Sequence, residues 1–282
     1  MLDIDHNAPK TSLKIAILDM YEGHANEGMR CIRQIVGRFL NTEGIEGDYD
    51  VFDVRLKNEL PDLSYDIFIS SGGPGSPLAS NAIWEQSFFA FIDSLMAHNK
   101  QSENKKYLFL ICHSFQMVCR HLGVGQVDKR KSTSFGVMPM HRLDEGFDES
   151  CLRGLPEPFY AVDSREYQVT QPNTEHIRAK GIKVLALEKE RPEIPLERAI
   201  MAVRFSEEIF GTQFHPEADP VGMLHHYQKE EKKIIIIAEH SEKKYYEILA
   251  NLDDPDKITL TESIIIPTFL QTATERLLGV VA

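Results

Sequence analysis

The sequence has little cysteine, no long apolar run and no excess of positive charge, and each shortage excludes a class of protein. Its four cysteines among 282 residues are too few and too irregularly spaced for a disulfide framework, and no CxxC pair suggests a zinc or redox site. No run of about 18 apolar residues is present to cross a membrane. The formal net charge of −12 argues against a broad nucleic-acid-binding face, because such faces are normally basic. We therefore expect a cytoplasmic protein that binds neither nucleic acid nor membrane.

Length and composition favour one large domain with an appendage. A chain of 282 residues is near the upper limit that one hydrophobic core serves, and 42% hydrophobic and 26% charged residues are ordinary values for globular proteins. We predict a polar leader over residues 1–12, which lacks the pattern of a secretory signal. The main domain is predicted over residues 13–227, followed by a helical extension over residues 228–282 that packs on the same domain.

The hydrophobic pattern predicts an α/β fold. Leu13–Leu18 and Tyr107–Ile111 are apolar runs typical of buried strands, and Asn26–Phe39 has helical periodicity. The second half favours strands over Phe135–Met140, Phe159–Val162, Val184–Leu187, Ala199–Arg204 and Ile209–Phe214. Alternating strands and helices followed by a strand-rich half predict a doubly wound, mostly parallel sheet with an antiparallel extension.

The C-terminal part of the sequence is mainly of helical character. We predict one long charged helix over Pro220–Leu252, a break at residues 253–256, and a last amphipathic helix over Ile264–Leu278. The run Ile234–Ile237 could instead form a short strand, because β-branched residues favour strands. The charged and tyrosine-bearing turns on both sides favour the helix.

Two short segments have the chemistry of a hydrolytic site. Cys112 follows a predicted strand and precedes a predicted helix, where backbone N–H groups and the helix dipole favour a thiolate. In an extended chain His215 and Glu217 project from the same side, so the carboxylate can orient the imidazole. The alternatives are a small core cysteine and a surface His–Glu pair, and spacing alone does not connect the two segments.

The sequence resembles the class I glutamine amidotransferases, particularly stand-alone GMP synthase-like glutaminase domains, at three places in the family's order. Ser71–Pro77 (SGGPGSP) resembles the family's glycine-proline loop, Leu110–Gln116 (LICHSFQ) its cysteine elbow, and Gln213–Glu217 (QFHPE) its terminal motif. The resemblance covers roughly residues 13–227 and implies a flavodoxin-like fold without a metal or an organic cofactor.

The resemblance also implies a reaction and roles for individual residues. Cys112 would attack the side-chain amide of glutamine, His215 would relay the proton to ammonia, and Glu217 would orient His215. The backbone N–H groups of Gly73 and His113 would form the oxyanion hole.

A substrate contact is expected from Gln116, which matches a family position near the bound glutamine. Arg165 lies in a segment that resembles a second family, described below; it either holds a substrate carboxylate or is a surface arginine on a loop at the end of a strand. Leu110 and Ser114 depart from the family, which usually has glycine at both positions. We therefore expect the triad assignment to be more secure than the substrate.

Two other functions stay open. The homoserine O-succinyltransferases share the elbow cysteine and the His-Pro-Glu motif, and residues 145–150 and 163–167 resemble that family. A catalytically silent, regulatory or binding version of the fold is the other alternative, suggested by Leu110 and the unusual tail. If ammonia is released, its acceptor synthetase must lie on another chain, because the sequence has no ATP-binding glycine loop of the P-loop type. The oligomeric state is left open.

Overall fold

A computed structural model describes residues 12–42, 44–193 and 195–279, which form nine strands and ten α-helices. The strands are β1 Leu13–Asp19, β2 Gly47–Asp53, β3 Ile67–Ser70, β4 Tyr107–Ile111, β5 Gln126–Arg142, β6 Phe159–Thr170, β7 Lys183–Glu188, β8 Ile200–Arg204 and β9 Ile209–Thr212. The helices are α1 Glu27–Leu40, α2 Val54–Lys57, α3 Ile83–Gln101, α4 His113–His121, α5 Asp144–Phe147, α6 Thr174–Lys180, α7 Pro220–Gln228, α8 Glu230–Glu239, α9 Glu242–Leu252 and α10 Leu260–Leu278. The predicted leader lies outside the described residues except for Ser12.

All nine strands belong to one sheet, in the order β2-β1-β3-β4-β9-β8-β7-β5-β6. The first five strands of that order pair in parallel. The pairs β9–β8, β8–β7, β7–β5 and β5–β6 are antiparallel. This topology confirms the predicted doubly wound, flavodoxin-like sheet with its antiparallel extension.

Helices cover both faces of the parallel part. In β1, Ile15 and Ile17 belong to one buried cluster, whereas the intervening Ala16 and Leu18 belong to another on the opposite face. Successive strand residues point to opposite faces, so both alternating sets must be apolar when both faces are covered. The apolar runs of β1 and β4 reflect this double burial.

The extension after β9 is helical, but the prediction of one long helix over Pro220–Leu252 is wrong. The structure has three helices there, α7, α8 and α9. Lys229 has extended dihedrals between α7 and α8, and Ser241 begins α9 by accepting a hydrogen bond from the N–H of Lys244. Serine is more favourable at a helix N-terminus than in a helix interior, which accounts for the break between α8 and α9. Ile234–Ile237 is helical within α8, as expected.

Helix α10 packs directly on the strand that precedes Cys112. Phe269 of α10 is 3% exposed, and its ring lies 5.2 Å from that of Phe109 in β4, edge to face.

Among the described residues, no helix is both long enough and apolar enough to cross a membrane.

Replacing Phe269 with alanine should lower the free energy of unfolding by about 3–5 kcal/mol, because it leaves a cavity between α10 and β4. Urea titration followed by circular dichroism measures the loss. Ile83→Ala is the control, since Ile83 is 73% exposed and its truncation should change stability little. Equal losses in the two variants would contradict the packing of α10 on β4.

Candidate active site

Cys112 lies at a strained junction between β4 and α4. Its φ of 46° and ψ of −96° are unusual for a residue other than glycine. The backbone N–H of Cys112 donates to the Thr212 carbonyl at 2.8 Å, and the Cys112 carbonyl accepts from the N–H of Gln116 at 2.9 Å. These bonds hold the thiol at the start of α4, as expected for a nucleophile elbow.

The two departures from the family's elbow are accommodated by their surroundings. The hydroxyl of Ser114 accepts from the N–H of Ile111 at 3.1 Å and lies 3.0 Å from the Ser70 carbonyl. Leu110 is fully buried, and its partner across the β4–β9 pair is Gly211. A Cβ on Gly211 would lie 3.1 Å from that of Leu110, so the missing side chain on β9 provides room for the leucine.

His215 and Glu217 follow β9 and are joined by a hydrogen bond. The N–H of His215 donates to the Val162 carbonyl of β6 at 2.8 Å, which anchors the backbone. His215 Nδ1 lies 2.8 Å from Glu217 Oε1. Glu217 is 1% exposed, and its Oε2 has no hydrogen-bond partner among the described residues. The carboxylate of Glu217 therefore interacts mainly with the imidazole of His215.

The structure brings His215 and Cys112 together beside Gly72. A Cβ on Gly72 would lie 2.8 Å from His215 Cε1 and 3.6 Å from Cys112 Cβ, so this close approach requires glycine. Burial lowers the pKa of His215, but the charges of Glu217 and Cys112 and hydrogen bonds to both raise it well above its usual value. Glu217 and Cys112 together therefore favour the imidazolium form of His215, which can donate a proton.

Gly73 and His113, the two predicted oxyanion donors, line the same pocket as Cys112. A Cβ on Gly73 would lie 2.3 Å from the Met20 carbonyl, so only glycine fits in this loop. The Arg55 guanidinium fixes the loop by donating to the carbonyls of Pro74 at 2.5 Å and Met20 at 3.1 Å. His113 is the first residue of α4, where a backbone N–H has no acceptor within its own helix.

The His113 side chain is not suited to proton transfer. It is 1% exposed, and its Nε2 has no hydrogen-bond partner in the described part of the chain. Burial, together with the positive charges of Arg55 and Arg120, lowers the pKa of His113 to about 3. The imidazole is therefore neutral near pH 7, and only the backbone of His113 can serve the site.

A pocket of about 340 Å³ opens beside Cys112. Gln116 lines it, and its Nε2 donates to Gln213 Oε1 at 3.2 Å, while Gln213 Nε2 lies 3.7 Å from Cys112 Sγ. Ile235 and Ile236 of α8 form part of the opposite wall. The helical extension therefore contributes directly to the pocket that a substrate would enter.

Arg165 also lines this pocket, but its guanidinium is held in buried ion pairs. Nε donates to Asp163 at 2.8 Å and Nη2 donates to Glu188 at 2.9 Å, while Nη1 lies 3.4 Å from the Tyr167 carbonyl. A substrate carboxylate would have to compete with these acceptors. Substrate binding by Arg165 stays a prediction.

Three further residues surround the site: Ser164 and Gln213 lie in segments that the sequence singled out without a role for them, and Tyr21 had no sequence signal. The Ser164 carbonyl lies 3.9 Å from Cys112 Sγ, and Gln213 contacts the same sulfur. Tyr21 reaches the His215–Glu217 pair from the end of β1: its hydroxyl would lie 3.3 Å from a Cβ on Gly72. Burial raises the pKa of Tyr21 well above its usual value, and the negative charges of Glu217 and Cys112 raise it further. The phenol therefore stays protonated.

Solved structures with this fold include several amidotransferases. A glutamine amidotransferase from Methylobacillus flagellatus is 15% identical, with a TM-score of 0.64 over 93% of this chain and 95% of that one. One from Thermotoga maritima is 15% identical, with a TM-score of 0.58 over 93% and 98%. The glutaminase domain of Trypanosoma brucei CTPS, solved with bound acivicin, is 16% identical, with a TM-score of 0.53 over 80% and 94%. At these identities the likeness shows a shared fold.

The family comparison is more specific. A search of curated proteins found no significant match. The model of the family described as glutamine amidotransferase class-I matches residues 32–249, which includes the cysteine elbow and the His-Pro-Glu segment. The chain therefore belongs to the class I glutamine amidotransferase family.

Proposed function

We propose that this chain hydrolyses the side-chain amide of glutamine through a thioester on Cys112 and supplies the ammonia to a synthetase on another chain. The observation that carries the proposal is the strained elbow at Cys112, which lines a pocket and lies beside the hydrogen-bonded pair of His215 and Glu217. Family membership supports the choice of glutamine as the substrate.

In the first half of the reaction, the Cys112 thiolate attacks the amide carbon of glutamine. The negative charge moves to the amide oxygen, where the N–H groups of Gly73 and His113 stabilise it. The His215 imidazolium protonates the departing nitrogen, ammonia leaves, and a γ-glutamyl thioester remains on Cys112. The raised pKa of His215 suits this acid step.

In the second half, the now neutral His215 takes a proton from water as the water oxygen attacks the thioester. The same oxyanion donors stabilise the second tetrahedral intermediate. Its collapse breaks the carbon–sulfur bond, restores the thiolate of Cys112 and the imidazolium of His215, and releases a γ-carboxylic acid that loses its proton to solvent to give glutamate. Glu217 keeps the imidazole oriented in both halves of the reaction.

The proposal extends to domain organisation and location. We assign residues 13–227 to the amidotransferase domain and residues 228–282 to an extension packed on it, in a cytoplasmic protein. The packing of Phe269 against β4 and the position of α8 beside the pocket support an extension that packs on the domain.

The acyltransferase alternative is not favoured by a specific contact. Arg165, the residue expected to hold a substrate carboxylate, already donates to Asp163 and Glu188, and its Nη1 lies 3.4 Å from the Tyr167 carbonyl. The silent-fold alternative was suggested by Leu110 and the unusual tail; Leu110 is accommodated opposite Gly211, and the tail contributes Ile235 and Ile236 to the pocket at Cys112.

Replacing Cys112 with alanine should lower ammonia release from glutamine by about 10⁴-fold or more, because the variant lacks the nucleophile. A coupled glutamate dehydrogenase assay measures the rate. Cys119→Ala is the matched control, since Cys119 is a buried cysteine of the same helix that packs in the core. No ammonia from the wild type would contradict the proposal.

Diazo-oxonorleucine, an alkylating analogue of glutamine, tests the nucleophile independently. Wild-type protein should gain one adduct on Cys112, and glutamine should protect against it. Intact-mass and peptide mass spectrometry locate the adduct. Labelling of Cys31 or Cys151 instead would contradict the assignment.

Replacing Glu217 with glutamine should lower kcat by roughly 10³-fold or more, with a smaller change in KM, because the amide orients and stabilises the imidazolium poorly. The wild type should also lose stability relative to this variant as the pH rises above 6.5, the ordinary pKa of histidine. Folded His215 holds its proton more tightly than the unfolded chain does. Its contribution is therefore complete below pH 6.5 and is lost as the pH rises through the folded pKa.

Urea titrations from pH 6 to pH 9 measure this difference. Glu207→Gln is the control, because the Glu207 side chain is 81% exposed and pairs with Arg276 of α10 rather than with a residue of the site. Parallel pH profiles for the wild type and Glu217→Gln would contradict the role of Glu217.

A separate synthetase chain should co-purify with the full-length protein under native conditions. The complex should consume ATP and use glutamine as its nitrogen source. In the complex, Cys112→Ala should abolish the use of glutamine but leave the use of free ammonia intact. Size-exclusion chromatography with mass spectrometry identifies the partner. Self-association alone would count against it.

A further inference from the structure

A second pocket of about 180 Å³ adjoins the one at Cys112. Thr133, Phe135 and His240 line both pockets, so the two are adjacent. The second pocket lies between a bulge of β5, the end of β7 and the start of α9. The proposed hydrolysis of glutamine uses none of the charged side chains found only there.

The second pocket is cationic in a protein whose formal net charge is −12. Its wall includes four basic side chains and two carboxylates. The basic residues are Arg130, Lys189, Arg191 and Lys244, and the acidic residues are Asp163 and Glu188.

Both carboxylates are already neutralised by partners. Glu188 Oε2 accepts from Arg130 at 3.2 Å and from Arg165 at 2.9 Å, and Oε1 accepts from Arg191. Asp163 accepts from Arg165 Nε at 2.8 Å. Arg130 has only 8% of its side chain exposed, so this network is a built part of the wall.

Lys189 and Lys244 carry the remaining charge. Among the side chains that the structure describes, neither lysine has a carboxylate within ion-pair distance, although both are partly buried. Burial lowers the pKa of Lys189, and the positive charges of Lys244 and Arg191 lower it further. A bound anion would relieve this repulsion.

The bulge of β5 adds hydroxyl groups to the same wall. The pairing of β5 with β6 shifts between Lys129 and Ser134, so the intervening residues leave the regular ladder. Ser132 and Thr133 lie in this bulge and line the pocket. Hydroxyl donors beside two ammonium groups match the acceptor oxygens of a tetrahedral oxyanion.

We propose that this second pocket binds a phosphate-sized oxyanion, either free or as the phosphoryl group of a small molecule, beside the site at Cys112. Lys189 and Lys244 supply the charge, and the hydroxyls of the β5 bulge complete the ligand set. The arginines neutralise Glu188, which also lines the pocket.

Isothermal titration of the full-length protein with inorganic phosphate at constant ionic strength tests the proposal. We expect saturable binding to one site, with sulfate competing and chloride not. Lys189→Ala and Lys244→Ala should each raise the Kd for phosphate by about tenfold, because each removes a charge-assisted hydrogen bond. Lys243→Ala is the matched control, since that side chain is 87% exposed and neighbours Lys244 in sequence.

A second titration with glycerol 3-phosphate distinguishes the two sources of the anion. Tighter binding than inorganic phosphate indicates a phosphoryl group on a larger molecule, and weaker binding indicates the free ion. Absent saturation with either ligand, or an equal weakening in Lys243→Ala, overturns the proposal. Unfolding midpoints near that of the wild type confirm that the variants fold.

Cys112→Ala separates this proposal from the proposed hydrolysis. That variant should lose ammonia release but bind phosphate with the wild-type Kd, because Cys112 does not line the second pocket. Phosphate binding without glutaminase activity in the wild type would leave the oxyanion site standing while the proposed function fails.

Discussion

Strands β4 and β9 pair in parallel, and Ile111 lies opposite Thr212 at their last paired position. The carboxyl ends of neighbouring parallel strands lie at the same edge of the sheet, so the residues that follow them are close in space. The hydrogen bond from Cys112 N–H to the Thr212 carbonyl fixes this junction at 2.8 Å. Two segments from distant parts of the chain, the elbow and His215–Glu217, depend on this single pairing. A shift of one residue in the register of β9 against β4 would turn each β9 side chain to the opposite face of the sheet.

The strained conformation of Cys112 costs roughly 1–3 kcal/mol, and neighbouring contacts must compensate for it. The bonds made by Ser114 provide part of this compensation, since its hydroxyl reaches the carbonyl of Ser70 and the N–H of Ile111. Leu110 fits because Gly211 faces it across the β4–β9 pair. Packing at this position is a property of two strands together.

Local patterns predicted the elements that carry the site, and tertiary contacts decided the rest. The apolar run before Cys112 and the periodicity after it indicate a strand and a helix without reference to other parts of the chain. The role of Gly211, by contrast, depends on which strand lies beside β4, and that choice involves residues remote in sequence. The break at Ser241 had a local signal, because serine commonly begins helices, but the surrounding helical pattern outweighed it. The position of Tyr21 beside the pair of His215 and Glu217 is likewise a consequence of sheet order.

The electrostatics of the site follow from the incomplete hydrogen bonding of Glu217. Burying a carboxylate is costly unless partners stabilise its charge. One Glu217 oxygen bonds to His215, and the other is buried without a partner among the described residues. The first turn of α1 provides some help, since a Cβ on Gly28 would lie 3.2 Å from Glu217 Oε1 and the positive end of the helix dipole lies there. A carboxylate with several N–H donors would share its charge among them. Here the negative charge of Glu217 acts mainly on the imidazole of His215. It therefore raises the pKa of His215.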